Sequence, residues 1–216
     1  MFKIDLHTHS EASRDGSIKS SQYVDILQLK RLDYIAITDH NKISFATKLN
    51  KQLGDKIIIG EEINTKEGEI IGLFLKELIP RNLSVKDTVN AIKEQSGLVY
   101  IPHPFETVRR GISRQVLKSI INQVDVIEIF NGRAFFQNKS KVASDFAIEH
   151  KKPGAASSDA HGLKGLASTY SIIAERPTAK NLPALLSKAT FSTDRPPLIT
   201  LAYPKYNRIK KGWPRD

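Results

Sequence analysis

The sequence predicts an α/β fold whose parallel sheet is either open or closed into a barrel. Short apolar runs rich in β-branched residues alternate with amphipathic stretches along the chain, and the connections between them are short. A chain of 216 residues is also long enough to bury one sizeable core. No internal repeat, low-complexity segment or long linker divides it. We therefore expect a single domain.

The apolar runs predict eight strands, with amphipathic stretches between most of them. Val85, Val89 and Ile92 repeat at the i, i+4, i+7 spacing of a helix. Ser84 precedes them and Asp87 follows three residues later, which is typical of a capped helix start. The predicted strands cover residues 2–9, 34–39, 57–64, 70–75, 98–102, 124–130, 154–158 and 170–173.

The C-terminal segment differs in composition from the rest of the chain. Residues 195–216 hold four of the ten prolines, and six basic residues stand there against one acidic residue. We expect residues 1–194 to form the α/β domain and residues 195–216 to form a basic, proline-containing arm. This arm is predicted to be irregular and packed on the domain by Tyr203, Tyr206 and Trp213, or partly mobile.

Charge and composition narrow the class of function. The chain has 33 Lys and Arg against 23 Asp and Glu, a formal net charge of +10. This excess favours a polyanionic partner such as a nucleic acid, nucleotide or phosphate ester, although a plain solvated surface explains it equally well. The absence of cysteine excludes disulfides and thiolate metal sites. No apolar run is long enough to cross a bilayer and no signal peptide is visible, so we expect a cytoplasmic protein without membrane association.

Metal-binding residue types occur at the ends of strand after strand. In the opening stretch "KIDLHTHS", His7 and His9 stand two residues apart, where a strand built only for packing would place apolar residues. A single histidine is more often structural than a metal ligand, but a core does not bury many ionisable groups unless a metal or partners neutralise them. The other such residues at strand ends are Asp15, Asp39, His40, Glu61, Glu62, Glu69, His103, Glu128, Asn131, Asp159 and His161.

Five motifs follow one another in order: "DLHTHS", "TDHN", "GEEI", "IPHPF" and "SSDAHG". They closely resemble the successive motifs of the PHP (polymerase and histidinol phosphatase) family, and the resemblance extends to about residue 170. It implies a distorted (β/α)7 TIM-like barrel, a trinuclear metal site and the hydrolysis of phosphoesters. The protein is accordingly expected to be a metal-dependent phosphoesterase.

The resemblance also implies how two to three divalent ions are bound. Glu62 would bridge the first and second ions, and His40, Asp159 and His161 are expected to act in catalysis. Histidine and carboxylate ligands are compatible with Zn, Mn or Fe. The implied ligands are His7, His9, Glu62 and Asp159 for the first ion, Glu62 and His103 for the second, and Asp15, His40 and His161 for the third.

Glu69 departs from the family pattern, because many relatives carry a histidine at this point. A carboxylate still binds metal, and we expect Glu69 to be a ligand of the second site rather than an exposed hairpin residue. Asp5 and Asp39 precede ligand histidines and are expected either to orient imidazole N–H groups or to bind loop backbone. Adjacent strand residues point to opposite faces, so Glu61 is expected behind the ligands or in solvent.

Such a cluster predicts a particular chemistry. Divalent ions lower the pKa of bound water toward about 7 and neutralise phosphoryl oxygens, so a hydroxide bridging the Glu62-linked pair is the expected nucleophile. Arginine suits bidentate phosphate binding. Arg133 in "FNGR" is the stronger candidate for this role, and Arg109 and Arg110 after "HPFET" are the others.

The substrate class stays open on sequence alone. A nucleotide or short oligonucleotide fits the basic charge, while relatives also act on phosphorylated small molecules such as histidinol phosphate. A non-catalytic RNA-binding barrel is a second alternative, which the nearly complete ligand set disfavours. A third is an amidohydrolase acting on C–N bonds. Such barrels use fewer metals and often a carboxylated lysine at a strand end, and no lysine is so placed here.

Overall fold

Nine strands and seven α-helices alternate along residues 1–212, the part of the chain that the computed structural model describes. The strands are β1 Phe2–Asp5, β2 Tyr34–Ile37, β3 Ile57–Asn64, β4 Glu69–Leu73, β5 Leu98–Ile101, β6 Val126–Asn131, β7 Gly154–Ser157, β8 Thr169–Ile173 and β9 Thr190–Thr193. The helices are α1 Ser20–Gln28, α2 Ser44–Leu53, α3 Val85–Glu94, α4 Arg114–Ile120, α5 Ser140–Glu149, α6 Leu182–Leu186 and α7 Tyr203–Lys210.

The strands form one sheet that curls into a nearly closed barrel, with the order β7-β6-β5-β4-β3-β2-β1-β8-β9. Neighbours among β1, β2 and β3 are parallel, as are neighbours among β5, β6 and β7, whereas β4 is antiparallel to both strands beside it. The array from β1 to β7 closes where Thr8 pairs with Ala160, and the N–H of His9 donates to the carbonyl of Ala160 at 2.8 Å. The expected distorted seven-stranded barrel is confirmed.

Two strand predictions were wrong in detail. The first strand ends at Asp5 rather than at residue 9, because the Asp5 carboxylate accepts the N–H of His7 and the chain leaves the regular ladder. Strand β9 was not predicted, since the sequence "TFST" has only one large apolar residue. Together with β8 it adds an antiparallel pair beside β1.

Apolar side chains fill the barrel and the layer between the sheet and the helices. Ile4, Ala36, Leu73 and Tyr100 lie inside the barrel, where they belong to one buried cluster that α6 joins. Two further clusters pack α1 and α2 against β2 and β3, and α3 to α5 against β4 to β6. Burying one such aliphatic side chain contributes roughly 1.5–3 kcal/mol, so the packed barrel provides a rigid support for the loops at its mouth.

Two of the seven helices in the described part of the chain begin at a serine cap. The N–H of Asp87 donates to the Ser84 hydroxyl oxygen at 3.1 Å, which confirms the predicted cap of α3. Ser113 caps α4 in the same way, accepting the N–H of Val116 at 3.3 Å. A cap of this kind contributes about 1 kcal/mol because it satisfies a backbone donor that has no partner in the helix.

The C-terminal arm is more ordered than expected. The boundary expected between residues 194 and 195 lies directly after β9, and a 3-10 turn at Leu198–Ala202 then leads into α7. Pro204 is tolerated in the first turn of α7, where its missing N–H would have no partner. The predicted irregular conformation is therefore wrong for Tyr203–Lys210, while Trp213 lies outside the described residues. Within residues 1–212 no helix is long and apolar enough to cross a membrane.

Candidate metal centre

The nine residues predicted to bind metal meet at one mouth of the barrel. Most follow the carboxyl ends of parallel strands, which share one face of such a sheet. Glu69 joins them because β4 runs antiparallel and begins beside the end of β3, with Asn64 paired to Glu69. All nine are buried except His40, which is half-buried. They are His7, His9, Asp15, His40, Glu62, Glu69, His103, Asp159 and His161.

Strained backbone accompanies these side chains. Asp159 and His103 have positive φ angles of 52° and 27°, and Asn41 beside His40 has a φ of 52°. Residues other than glycine rarely adopt this region, because the Cβ atom crowds the backbone. Such strain persists only where the surrounding structure imposes it, and it concentrates at functional sites.

The first group of donors surrounds the side chains of the opening "HTH" stretch. The Nε2 atoms of His7 and His9 lie 3.2 Å apart. Oε2 of Glu62 lies 3.4 Å from the first and 3.2 Å from the second, and Oδ1 of Asp159 lies 3.6 and 3.5 Å from them. These are the four residues that the family resemblance assigns to one ion.

Glu62 connects this first group to a second. Its other oxygen, Oε1, lies 3.1 Å from Nε2 of His103, so the carboxylate faces both groups. The Glu69 carboxylate lies 3.8 Å from Nε2 of His103 and 3.9 Å from Nδ1 of His40. Glu69 is thus a buried neighbour of the site, and the alternative of an exposed hairpin residue is wrong.

A third group lies around Asp15. Its Oδ2 atom is 3.4 Å from Nε2 of His40 and 3.3 Å from Nε2 of His161. His40 also faces the second group, since its Nδ1 atom is 3.4 Å from Glu62 Oε2. The ring of His9 stacks on that of His161 with centroids 4.1 Å apart. The three groups therefore form one continuous cluster of donors.

The chemistry of the donors fits divalent cations. The Nδ1–H of His7 donates to Glu128, so the Nε2 atom of a neutral His7 presents a lone pair. That lone pair faces carboxylate oxygens of Glu62 and Asp159, which accept but do not donate. In the absence of an ion, the carboxylates outweigh burial and raise the pKa of His7 well above its usual value, so a proton occupies Nε2 until a cation displaces it. Imidazole and carboxylate are the ligand types that Zn, Mn and Fe take in proteins.

Most carboxylates of the cluster are held in their ionised form. Burial opposes the charge of Glu62 and Asp159, yet nearby histidines, and for Asp159 first the Arg133 guanidinium, lower the pKa of both well below the usual range. Glu69 is the exception, because burial and then the charge of Glu62 raise its pKa. A cation bound beside Glu69 would reverse this repulsion.

The two imidazoles beside Asp15 differ in their charge. Burial lowers the pKa of His40, but the carboxylates of Asp15 and Glu62 outweigh it and raise the pKa to about 10. Burial and nearby positive charges lower the pKa of His161 to about 4. His161 is therefore neutral and ready to bind a cation at pH 7, while cation binding at His40 must displace a proton.

Glu128 orients the ligands from behind, a role that the sequence did not assign to it. Its Oε1 atom accepts Nδ1–H of His7 at 3.1 Å and the Tyr100 hydroxyl at 3.0 Å. Its Oε2 atom accepts the backbone N–H of His103 at 2.6 Å. The only signal in the sequence was a carboxylate at the carboxyl end of a predicted strand.

Asp5, Asp39 and Glu61 differ from the ligand carboxylates. Asp5 accepts backbone N–H groups of His7 and Ser158, and Asp39 accepts the N–H of Ser10, so both bind loop backbone rather than an imidazole. Glu61 lies on the face of β3 opposite Glu62, as expected, but it is fully buried rather than in solvent, and its Oε2 atom accepts the N–H of Ile79 at 2.9 Å rather than contacting a ligand. Burial raises the pKa of Glu61 to about 7.

Arg109 makes more side-chain hydrogen bonds within the site than Arg133 does, and the ranking of the two as phosphate-binding residues stays a prediction. The Nη1 atom of Arg109 donates to Asp159 Oδ2 and to Asn131 Oδ1, both at 2.6 Å. Its Nε and Nη2 atoms donate to Glu106 Oε2 at 2.9 and 2.6 Å. Glu106 was not recognised in the sequence, since nothing in "HPFET" separates it from a solvated loop residue.

Arg133 and Arg110 complete the basic rim. Nη1 of Arg133 lies 3.2 Å from Asp159 Oδ2, and Nη2 of Arg110 donates to the carbonyl of Thr65 at 3.2 Å. A cleft of about 260 Å³ opens between this rim and the donor cluster. The basic residues that line it are Arg14, Arg109, Arg110 and Arg133 from the barrel and Lys205 and Arg208 from α7.

Comparison with known proteins identifies a family. The PHP domain matches residues 5–151, which is more than half of the chain. The uncharacterized protein MJ0417 of Methanocaldococcus jannaschii is similar to this chain along nearly its whole length. It is 33% identical over 220 residues, which cover 98% of this chain and 87% of that protein.

Solved structures share the fold. A two-domain protein from Bacteroides vulgatus, which contains a predicted PHP-like metal-dependent phosphoesterase, superposes with a TM-score of 0.70 at 19% identity over 89% of this chain. The chain spans 65% of that structure. The lesion-specific endonuclease PfuEndoQ from Pyrococcus furiosus gives a TM-score of 0.65 at 16% identity, covering 88% of this chain and 57% of the endonuclease.

Proposed function

The chain belongs to the PHP family, and from this premise we propose that it is a metal-dependent hydrolase of phosphoesters acting on nucleotides or short oligonucleotides. One observation carries the proposal. Nine buried or half-buried imidazole and carboxylate side chains share one mouth of the barrel with a rim of arginines. Cation ligands beside phosphate-binding groups are what the hydrolysis of a phosphoester requires.

The ligand groups define three places for ions. His7, His9 and Asp159 would hold one, Glu62 with His103 and Glu69 a second, and Asp15 with His40 and His161 a third, with Glu62 turned toward the first two. Divalent ions bound there would lower the pKa of a water and neutralise phosphoryl oxygens.

The nucleophile in this proposal is water. Among the described residues that line the cleft there is no serine, threonine or tyrosine, and the chain has no cysteine. Arg109 and Arg133 would bind phosphoryl oxygens, since both guanidinium groups already meet at Asp159. The charge of Arg133 also lowers the pKa of Asp159 and so keeps it ionised.

The surroundings of the cleft favour a nucleotide over a small metabolite. Lys205 and Arg208 add two positive charges to the basic lining of the cleft, which suits a polyanion. A second cleft of about 510 Å³ adjoins the first, and the two share Arg14 and His40. Its wall includes the apolar segment 78–80, against which a nucleobase would pack. The endonuclease of the same fold is consistent with this substrate class.

A substrate panel tests the proposal. Nucleoside monophosphates, short RNAs, sugar phosphates and histidinol phosphate are assayed with Mn²⁺ for the wild type, Glu62→Gln and Glu61→Gln. We expect hydrolysis of nucleotides or short RNAs, a loss of at least about 100-fold in Glu62→Gln because a ligand is removed, and near wild-type rates in Glu61→Gln.

Other outcomes contradict the proposal at different levels. Turnover of histidinol phosphate alone would show that nucleotides are not the substrates, while the assignment as a phosphoesterase would stand. Amide or lactone hydrolysis without phosphatase activity would indicate an amidohydrolase. RNA binding that survives chelation, with no turnover under any metal, would indicate a non-catalytic barrel.

A further inference from the structure

Helix α7 returns to the mouth of the barrel and touches the loops of the third ligand group. The buried Asn207 side chain donates through Nδ2 to the backbone carbonyls of Asp15, at 2.8 Å, and His161, at 3.1 Å. The side chains of these two residues face each other at 3.3 Å. A single amide group thus joins the two ligand-bearing segments at the level of the backbone.

Lys211 at the end of α7 binds the same region. Its Nζ atom donates to the carbonyls of Glu11, Ser13 and Gly16 at 2.7, 2.6 and 2.7 Å. An ammonium group has three N–H donors, so all of them are used by this one loop. The loop that carries Asp15 is therefore wound around the lysine.

The loop depends on this contact for its shape. Three carbonyl oxygens that converge on one point repel each other unless a positive charge lies between them. The turn is also tight, since a Cβ atom on Gly16 would lie only 2.2 Å from the carbonyl oxygen of Ser10. Within the loop, the Ser13 hydroxyl donates to Asp15 Oδ1 at 2.9 Å, so the loop conformation sets the direction of the carboxylate.

The first and second ligand groups have a different support. His7 and His103 are oriented by Glu128 on β6, and Glu62 lies within β3. The side-chain hydrogen bonds of Asn207 and Lys211 go instead to the backbone of residues 11–16 and of His161. Asp159 links the two halves of the cluster, since it lies two residues before His161, and the other ligands of the first two groups are held by a separate part of the fold.

We propose that α7 fixes the third metal position, with Asn207 and Lys211 acting as positioning residues that hold the Asp15 loop against His161. This inference rests on the metal cluster of the proposed function. It assigns to the basic arm a role in metal occupancy rather than in solubility alone. Loss of either contact should lower the affinity for the ion beside Asp15. The two ions linked by Glu62 should stay bound.

Metal stoichiometry and affinity on the full chain test the inference. Wild type, Asn207→Ala and Lys211→Met are loaded with Mn²⁺, dialysed and analysed for metal per chain, and the weakest ion is titrated by calorimetry. Lys210→Met is the matched control, because Lys210 is exposed on the same helix. Lys211→Arg keeps the positive charge and N–H donors but spreads them over a planar group, so it serves as a partial rescue variant.

We expect about three ions per chain in the wild type and the control, about two in Asn207→Ala and Lys211→Met, and a loss of at least about tenfold in the affinity of the weakest ion. Lys211→Arg should recover part of the loss, because it restores the positive charge but not the compact geometry. Unchanged stoichiometry and affinity in both variants, or the loss of all ions together, would overturn the inference, as would a wild type that binds only two. A different outcome would contradict the proposed function and support this inference. In that outcome the wild type binds three ions, each of the two variants binds one fewer, and the wild type hydrolyses no phosphoester.

Discussion

At the residue scale, Glu61 and Glu62 are neighbours on β3 with opposite environments. The two-residue period of a strand sends Glu62 into the donor cluster and Glu61 to the other face, which the sequence predicted. The sequence did not predict that Glu61 is fully buried, because a strand pattern does not tell which segment covers its second face. The roles of Glu106 and Glu128 were missed for a similar reason, since they depend on contacts between distant segments.

Removing the orienting carboxylate should weaken metal binding without removing a ligand. We expect Glu128→Gln to lower metal affinity by roughly 10- to 100-fold, because His7 loses a charged partner for its Nδ1–H. Competition with a chelator of known affinity measures the change. Tyr100→Phe removes only a neutral hydroxyl that donates to the same carboxylate, so it should lower metal affinity much less. Equal affinity in Glu128→Gln and the wild type would contradict this role.

Glu61 should make the stability of the metal-free protein depend on pH. Its folded pKa of about 7 lies above the ordinary 4.5, so the folded state binds more protons between these values. The neutral carboxyl therefore contributes to the stability of the folded state in full below pH 4.5, and this contribution is lost as the pH rises through about 7. When the pH is raised from 5 to 8, the unfolding free energy of the wild type should therefore fall by about 2 kcal/mol more than that of Glu61→Gln. Urea unfolding at both pH values measures it, and a difference independent of pH would contradict the assignment.

At the element scale, the types of most strands and helices followed from periodicity, but their directions did not. The sequence predicted a parallel sheet, whereas β4 runs antiparallel to β3 and thereby returns Glu69 to the site. The antiparallel pair β8 and β9 and the helix α7 were not predicted. Periodicity reports which face of an element is buried, and it contains no information on strand direction or on the partner of a polar, proline-containing segment.

A cap substitution tests whether element stability and the metal site are independent. Ser84→Ala should lower the unfolding free energy by about 1 kcal/mol, because the N–H of Asp87 loses its acceptor, and metal content should not change. The exposed hydroxyl of Ser119 only donates back to the carbonyl of Val116, so Ser119→Ala should stay within about 0.5 kcal/mol of the wild type. A fall in metal content in Ser84→Ala would show that α3 supports the site directly.

At the scale of the whole molecule, the barrel gathers at one mouth side chains that are far apart in the chain. His7 and Asp159 are separated by most of the barrel sequence, yet they face each other because the ends of the seven-stranded array meet. Ordered motifs and the resemblance to a family predicted this convergence. Substrate and metal identity did not follow, since they depend on the affinity of the assembled cluster rather than on any one motif.

Ion binding should stabilise the fold as a whole. The cluster buries several carboxylates near one another, and cations that bind only the folded state add a free energy of about 2.7 kcal/mol at 100 times their Kd. Removal of metal by a chelator should therefore lower the melting temperature of the wild type, and Mn²⁺ should restore it. In Glu62→Gln the effect of the chelator should be smaller, and an equal shift in both proteins would place the stabilising ions elsewhere.

Anomalous diffraction from crystals soaked in Mn²⁺ or Zn²⁺ tests most directly whether the strand-end histidines and carboxylates bind a cluster of ions. Peaks are expected between His7, His9 and Asp159, between Glu62 and His103, and between Asp15, His40 and His161. The contrary result is a soaked crystal in which ions bind only elsewhere on the chain and none binds at these positions. It would contradict the metal centre and the hydrolysis that depends on it.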